Sequence, residues 1–149
     1  MIKALRTALI TAAAFFAGHI GITVLIAAWQ FFSVSPGRGN EIDSYVMMLL
    51  IVVFSGTASA FAYAAITACS RGWRERRPRT VVIVSAVAGA IALLGTWTGV
   101  FVPAMALLHA AFGSVAAIRA STAVPGVVLG IVVLAWSLVA KPGDRAGSN

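Results

Sequence analysis

The chain has 149 residues, of which 60% are hydrophobic, and a mean hydropathy of +0.98. Because soluble domains contain roughly 45–50% apolar residues, this composition argues against a soluble protein and indicates that lipid covers part of the surface. The net charge of +7 lies in short basic clusters between apolar stretches. That pattern is typical of topology signals, so we expect no nucleic-acid partner.

Four apolar stretches are long enough to cross a bilayer as helices. They cover residues 8–32, 45–69, 80–101 and 122–140, and roughly 20 helical residues are needed to cross about 30 Å of hydrocarbon. We therefore predict an all-α integral membrane protein, a single polytopic domain over residues 1–149 that consists of two helical hairpins. The alternating pattern of membrane β-strands does not occur in the sequence.

The first stretch follows Lys3 and Arg6, as the apolar core of a signal peptide follows its basic residues. Its apolar run continues to Phe32, however, whereas the core of a signal peptide has only about 7–15 residues. We therefore predict that the first stretch is an uncleaved span.

The basic residues predict which way the spans are oriented. Most of them lie on one side of the predicted membrane: Lys3, Arg6, Arg71, Arg74, Arg76, Arg77, Arg79, Lys141 and Arg145. Since Lys and Arg are held in the cytoplasm during insertion, we expect both chain ends to be cytoplasmic, in a bacterial-type inner membrane. The polar tail, residues 141–149, is predicted to be disordered.

Aromatic residues support the same orientation. Amphipathic rings prefer the headgroup level, which produces one belt at each face of the membrane. At the predicted outer ends lie Trp29, Tyr45 and Trp97, and at the cytoplasmic ends lie Trp73 and Trp136.

The segment between the third and fourth spans, residues 103–118, is apolar but short. Gly99 and Pro103 should break the third helix, and the bulky residues that follow recur at helical spacing: Phe101, Met105, Leu108, Phe112 and Val115. We predict a short interfacial or re-entrant helix on the outer side. The alternative is a fifth span, which would place the C-terminus outside.

The connection between the second and third spans is rich in arginine. It contains Arg71, Arg74, Arg76, Arg77 and Arg79. These side chains can attract anionic phospholipid headgroups, at about 1 kcal/mol per basic residue near the surface, or dock an acidic partner. The simpler interpretation is a topology anchor without any other role.

Small residues recur four positions apart along the spans, and such rows allow close helix approach in lipid. The first span contains Ala13, Ala17 and Gly21; the predicted packing positions in the later spans are Gly56, Ala60, Ala64, Gly95, Gly99, Gly126 and Gly130. Their contacts can lie within the chain, with other membrane subunits, or with another copy of the protein.

A few polar or reactive side chains lie within the predicted spans. In the second span Ser59, Tyr63 and Thr67 share a helical face, which can line a polar pathway or bond to neighbouring helices. Cys69 is expected to be a small buried side chain. The histidines, His19 and His109, would lie at the same depth and ligate a b-type haem only if there were five spans.

The function prediction depends mainly on what the spans lack. They contain no Asp, Glu, Lys or Arg, and the chain has no Cys-x-x-Cys motif, which argues against ion-coupled transport and thiol-redox catalysis. We expect no catalytic or metal site and no cofactor. The prediction is a non-enzymatic accessory, assembly or scaffold subunit of a membrane complex. The alternatives are an oligomeric channel or carrier for a small neutral solute, and a haem or quinone anchor.

Overall fold

The computed structural model describes residues 2–33, 41–113 and 121–139, and within these ranges every regular element is a helix. The helices are α1 (Ile2–Ser33), α2 (Glu41–Ala68), α3 (Arg71–Arg74), α4 (Pro78–Trp97), α5 (Val102–Phe112) and α6 (Val124–Val139). The predicted all-α fold class is therefore confirmed. The predicted disordered tail lies outside the described residues.

Three helices are long and apolar enough to cross a membrane. Their apolar segments are Lys3–Trp29 in α1, Leu49–Ala68 in α2, and the whole of α4. Helix α6 is apolar as well, but its 16 described residues extend only about 24 Å. It covers most of the predicted fourth span, whose last residue lies outside the described part of the chain.

Helix α4 begins and ends at residues suited to those positions. Pro78 opens its first turn, where the missing amide costs nothing because the first amides of a helix have no partner within it. Gly99 follows its end with a φ of 74°. The Val100 amide donates to the Gly95 carbonyl (2.9 Å) and the Gly99 amide to the Thr96 carbonyl (3.3 Å), the two bonds of a Schellman motif.

This turn changes the role expected of two packing positions. A Cβ atom on Gly99 would meet only the side chain of Val102, at 3.4 Å, so Gly99 ends α4 and does not pack it against another span. At Gly95 an added Cβ would lie 2.5 Å from Cε2 of Phe101. The absence of a side chain there allows the Phe101 ring to fold back over α4 and become buried.

Helix α5 occupies most of the segment predicted to form a short helix. Its 11 residues start at Val102, with Pro103 in the first turn, and end before Gly113, which has a φ of 76°. None of these residues is buried, and Leu107 is 73% exposed. Helix α5 is thus an apolar helix that the described part of the chain leaves largely uncovered.

The longer helices form a bundle in which α1 packs along both α2 and α4. Helix α6 packs along the other side of α2 and touches α4 less extensively. The short helix α3 contacts α1, α2 and α6 at the end of the bundle where α2 leads to α4.

Helices α1 and α4 touch backbone to backbone at two glycines. A Cβ atom on Gly18 of α1 would overlap the carbonyl of Ala86, and one on Gly89 of α4 would overlap the carbonyl of Phe15. Such backbone contacts increase the dispersion attraction between the two helices, which matters where lipid removes the hydrophobic driving force.

A third backbone contact joins α2 and α6. A Cβ atom on Gly126 would overlap the Ser59 carbonyl. Gly21, by contrast, has no atom within 4 Å of the position of an added Cβ, although the sequence places it in a row of small residues. The small residue of α1 that packs against α4 is instead Gly18, three positions earlier and outside that row.

We expect Gly126→Ala to destabilise the bundle, because the methyl group would force α6 away from α2. Overpacking of this kind costs about 1–3 kcal/mol, which should lower the melting temperature of the purified protein in mild detergent. The matched control is Gly21→Ala, which adds the same methyl group in open space and should leave the melting temperature unchanged or raise it. Equal melting temperatures for the two variants would contradict the close α2–α6 contact.

Candidate functional site

The arginine-rich connection, residues 71–79, is a folded unit that we call the arginine cap. Its first part is the helix α3, for which Ser70 supplies the N-cap: the Ser70 hydroxyl oxygen accepts from the amide of Trp73 at 3.3 Å. N-capping satisfies one of the free amides that open a helix. The arginines are therefore attached to ordered backbone.

Trp73 fixes the arginine cap to the bundle. Its side chain is completely buried, and its indole N–H donates to the hydroxyl oxygen of Thr11 on α1 at 3.3 Å. The expectation that Trp73 lies in an aromatic belt among lipid headgroups is wrong. The capped turn of α3 directs the ring inward, where Thr11 satisfies the indole N–H that burial would otherwise leave without a partner.

A chain of hydroxyl groups links the arginine cap to α6. The Ser70 and Ser137 oxygens lie 2.9 Å apart, and the Ser137 hydroxyl also donates to the Leu134 carbonyl at 2.8 Å. Since a serine has one hydroxyl hydrogen, Ser137 uses its hydrogen on Leu134 and accepts from Ser70. Ser70 in turn accepts from the Trp73 amide.

Glycine allows the cap to approach α6 this closely. A Cβ atom on Gly72 would lie 3.2 Å from the Ser137 carbonyl oxygen, a separation at which the neighbouring atoms would have to move. No sequence pattern predicts these links, because Ser70 and Gly72 are residue types of an ordinary turn.

Two of the five arginines are engaged by neighbouring side chains. The Arg76 guanidinium carbon lies 4.0 Å from the ring centroid of Trp136 on α6, a cation–π contact. The Arg71 Nε lies 2.8 Å from Oε1 of Glu75, and this carboxylate raises the pKa of Arg71 above its usual value. Because Arg71 and Glu75 are 85% and 63% exposed, solvent screens this pair and it contributes little to stability.

The other three arginines of the cap, Arg74, Arg77 and Arg79, are exposed to solvent. Within the described residues they make no ion pair. Together they present three fixed positive charges on one end of the bundle, and each guanidinium can form forked hydrogen bonds to phosphate or carboxylate oxygens.

The two histidines lie in different environments. His19 is buried between α1, α2 and α4, and Gly56 provides the space for its ring: an added Cβ would lie 2.6 Å from the His19 Cδ2. His109 is exposed on α5. Among the described residues no group of three or more His, Cys, Asp or Glu side chains is arranged to hold a metal ion.

The predicted packing positions of the second and fourth stretches face neighbouring helices. Ala60 and Ala64 are buried, and a Cβ atom on Gly130 of α6 would lie 3.1 Å from the Ile66 side chain. Cys69 was expected to be buried but is exposed. It lies just past the end of α2, where its thiol turns back to the Ala65 carbonyl at 3.3 Å and away from the bundle.

The hydroxyl face predicted for the second span is buried, but its members bond differently. The Ser59 hydroxyl donates to the Thr122 carbonyl at 2.8 Å, in the turn before α6. The Thr67 hydroxyl donates to the Tyr63 carbonyl of its own helix at 2.9 Å. Only the first of these bonds connects α2 to another part of the chain.

We expect Trp73→Phe to lower the free energy of unfolding by about 1 kcal/mol, since it removes the hydrogen bond to Thr11 and retains most of the ring. Trp73→Ala should cost about 3–5 kcal/mol, because it leaves a large cavity. Trp97→Phe is the control, as Trp97 is exposed and its replacement should change little. Denaturation in mixed micelles measures all three. Similar values for the Trp73→Ala and Trp97→Phe variants would contradict the role of Trp73 as an anchor.

Comparisons with protein-family models, curated proteins and solved structures found no match to this chain.

Proposed function

We propose that this chain is a multi-pass protein of a bacterial-type inner membrane, a non-enzymatic accessory or scaffold subunit whose arginine cap binds anionic phospholipid headgroups at the cytoplasmic face. The observation that carries the proposal is the burial of Trp73 against Thr11. It makes the arginines part of a rigid surface, whereas an unstructured loop would serve equally well as a topology signal.

The membrane assignment is supported by the outward faces of the helices. Large apolar side chains such as Leu25, Phe54 and Ile83 are exposed on α1, α2 and α4, and contiguous apolar surface of this kind requires lipid or protein to cover it. We assign α6 as the fourth span. We assign α5 to the outer interface, because it follows the end of α4 that is opposite to the arginine cap.

The charge of the arginine cap matches the inner leaflet of a membrane. That leaflet has a surface potential of about −30 mV and attracts juxtamembrane basic residues. Arg74, Arg77 and Arg79 are exposed, while Arg76 packs over Trp136 and helps to hold the cap in place. The exposed three are therefore the residues that we assign to headgroup binding.

A scaffold role fits the interior better than a channel does. The rings of Phe15 and Tyr63 stack in the centre of the bundle with their centroids 4.8 Å apart, and Trp73 closes its end. A solute path through a single chain would have to displace these rings. Partners of the scaffold would be other membrane subunits or a second copy, bound through the exposed apolar faces.

The proposed orientation can be tested with cysteine labelling. In a Cys69→Ser background, the single substitutions Arg38→Cys, Arg74→Cys and Ser148→Cys should react with a membrane-impermeant maleimide outside, inside and inside, respectively. Replacing Cys69 is necessary because its thiol is exposed. Labelling of the Ser148→Cys variant from outside intact cells would contradict four spans and favour five.

The proposed headgroup binding can be tested by changing the three exposed arginines together. Arg74→Gln, Arg77→Gln and Arg79→Gln remove three charges worth about 1 kcal/mol each, so affinity for anionic lipid should fall about 100-fold. Retained phosphatidylglycerol and cardiolipin, measured by native mass spectrometry, provide the readout. Arg38→Gln is the control, since Arg38 lies outside the arginine cap and its loss should leave retention unchanged.

Replacing the same three residues with Lys distinguishes charge from geometry. Lys keeps the charge but loses the forked hydrogen bonds, so we expect most lipid retention to persist. If the Lys variant instead loses a co-purifying protein as completely as the Gln variant does, the cap docks a protein partner and the lipid proposal is wrong.

The scaffold role has a separate test. A flux of neutral solute into proteoliposomes that requires the protein would contradict it.

A further inference from the structure

Three polar side chains are buried in the interior of the bundle, one from each of the three span-length helices. They are His19 of α1, Tyr63 of α2 and Ser85 of α4, and none is more than 1% exposed. No described residue forms a hydrogen bond of acceptable geometry with either imidazole nitrogen or either hydroxyl oxygen, although the backbone of Val52 and Gly89 lies close to the imidazole. Polar atoms buried in this way are costly unless something satisfies them.

The surrounding contacts bring the imidazole and the phenol together. The Tyr63 ring packs on Phe15, one helical turn before His19, and the His19 ring packs on Gly56, two turns before Tyr63. These two contacts show that α1 and α2 run antiparallel. Side chains lean toward the N-terminus of their own helix, so His19 and Tyr63 lean toward each other.

Ser85 completes the group from the third helix. It faces the Tyr63 hydroxyl, although the two hydroxyls do not reach hydrogen-bond geometry. One turn further along α4, Gly89 touches the backbone of α1 at Phe15 and His19. The contacts at Phe15, Gly56 and Gly89, together with the proximity of Ser85 to Tyr63, thus place the three side chains in the same part of the interior.

Other buried hydroxyls of the interior do have partners. The Thr11 oxygen accepts from the Trp73 indole, while Thr23 and Thr67 donate to carbonyls four residues earlier in their own helices. Ser59, Ser70 and Ser137 bond between elements. Apart from the Arg76 Nε in the arginine cap, the buried side-chain atoms without a partner among the described residues therefore belong to His19, Tyr63 and Ser85.

We propose that His19, Tyr63 and Ser85 form a buried binding site for water. The occupant must both donate and accept, because a neutral imidazole has one donor and one acceptor and each hydroxyl can act as either. It must also be small, because the His19 ring is packed against Gly56 and the backbones of α1 and α4 touch at Gly89. A buried water makes about three hydrogen bonds. It joins three helices here, independently of the arginine cap.

The direct test observes water at the imidazole. In a His109→Asn background His19 is the sole histidine, and its labelled ring protons can be examined in micelles by NMR cross-relaxation with the solvent. A cross-peak of the same sign as for a long-lived bound water is expected, and it should disappear in the double variant Tyr63→Phe, Ser85→Ala. Absence of the cross-peak in the His109→Asn protein would overturn the proposal. It would mean either that no water is bound or that the three side chains bond directly to one another.

Melting temperatures provide a second readout. Tyr63→Phe and Ser85→Ala should each lower the melting temperature by about 2–4 °C, and the double variant should lose less than the sum, because both hydroxyls serve the same water. If no water were bound, each substitution would instead raise the melting temperature, since it would remove a buried polar group without a partner. Thr96→Val on α4, which removes only a bond to the Ala92 carbonyl, is the control and should be additive with Ser85→Ala. If the variants fail to fold, the cross-relaxation measurement on the native residues decides alone.

Discussion

Direct contact between helix backbones is the constraint on which the rest of this structure depends. At Gly18, Gly89 and Gly126 the neighbouring carbonyl occupies the space in which any other residue would place its Cβ. The resulting separations leave no freedom to slide α1 along α4 or α6 along α2 without a steric clash. In a lipid environment, where apolar side chains gain little by leaving the solvent, such contacts supply much of the association energy. They also fix which polar side chains meet in the interior.

The arginine cap depends on the helix positions that these backbone contacts set. Trp73 can reach Thr11 only because α1 and α2 are held at a set distance. Its burial then orders α3, and Ser70 and Gly72 connect that helix to α6. A connection that would be a loose basic loop in isolation becomes a surface with defined positions for Arg74, Arg77 and Arg79. Recognition of a phosphate group depends on defined arginine positions, because forked hydrogen bonds require a particular arrangement of donors.

The fold class could be predicted from the sequence because long apolar stretches and clustered arginines are strong, local signals. The end of α4 at Gly99 could be predicted for the same reason. The contacting face of α1 could not, since α1 contains several overlapping rows of small residues and only packing against α4 selects Gly18. Nor could the burial of Trp73, because its local sequence is basic and its partner, Thr11, lies more than sixty positions away in the chain. The sequence placed His19 inside a span, but its proximity to Tyr63 and Ser85 depends on three helices packing together.

Helix α6 is held near both of its ends, through Gly126 against Ser59 of α2 at one end and through Ser137 with Ser70, the N-cap of α3, at the other. The chain is synthesised from its N-terminus, so α1 to α4 are made before α6 exists. Until α6 arrives, the Ser59 and Ser70 hydroxyls lack the acceptors that it and its preceding turn provide. The unfinished bundle therefore displays two polar groups to α6, one within α2 and one just past its end, eleven positions apart in the chain. Only a segment with acceptors at that same spacing, and with a glycine facing Ser59, satisfies both hydroxyls at once. The helices made earlier therefore select α6 by the position of its polar contacts as well as by its apolar character.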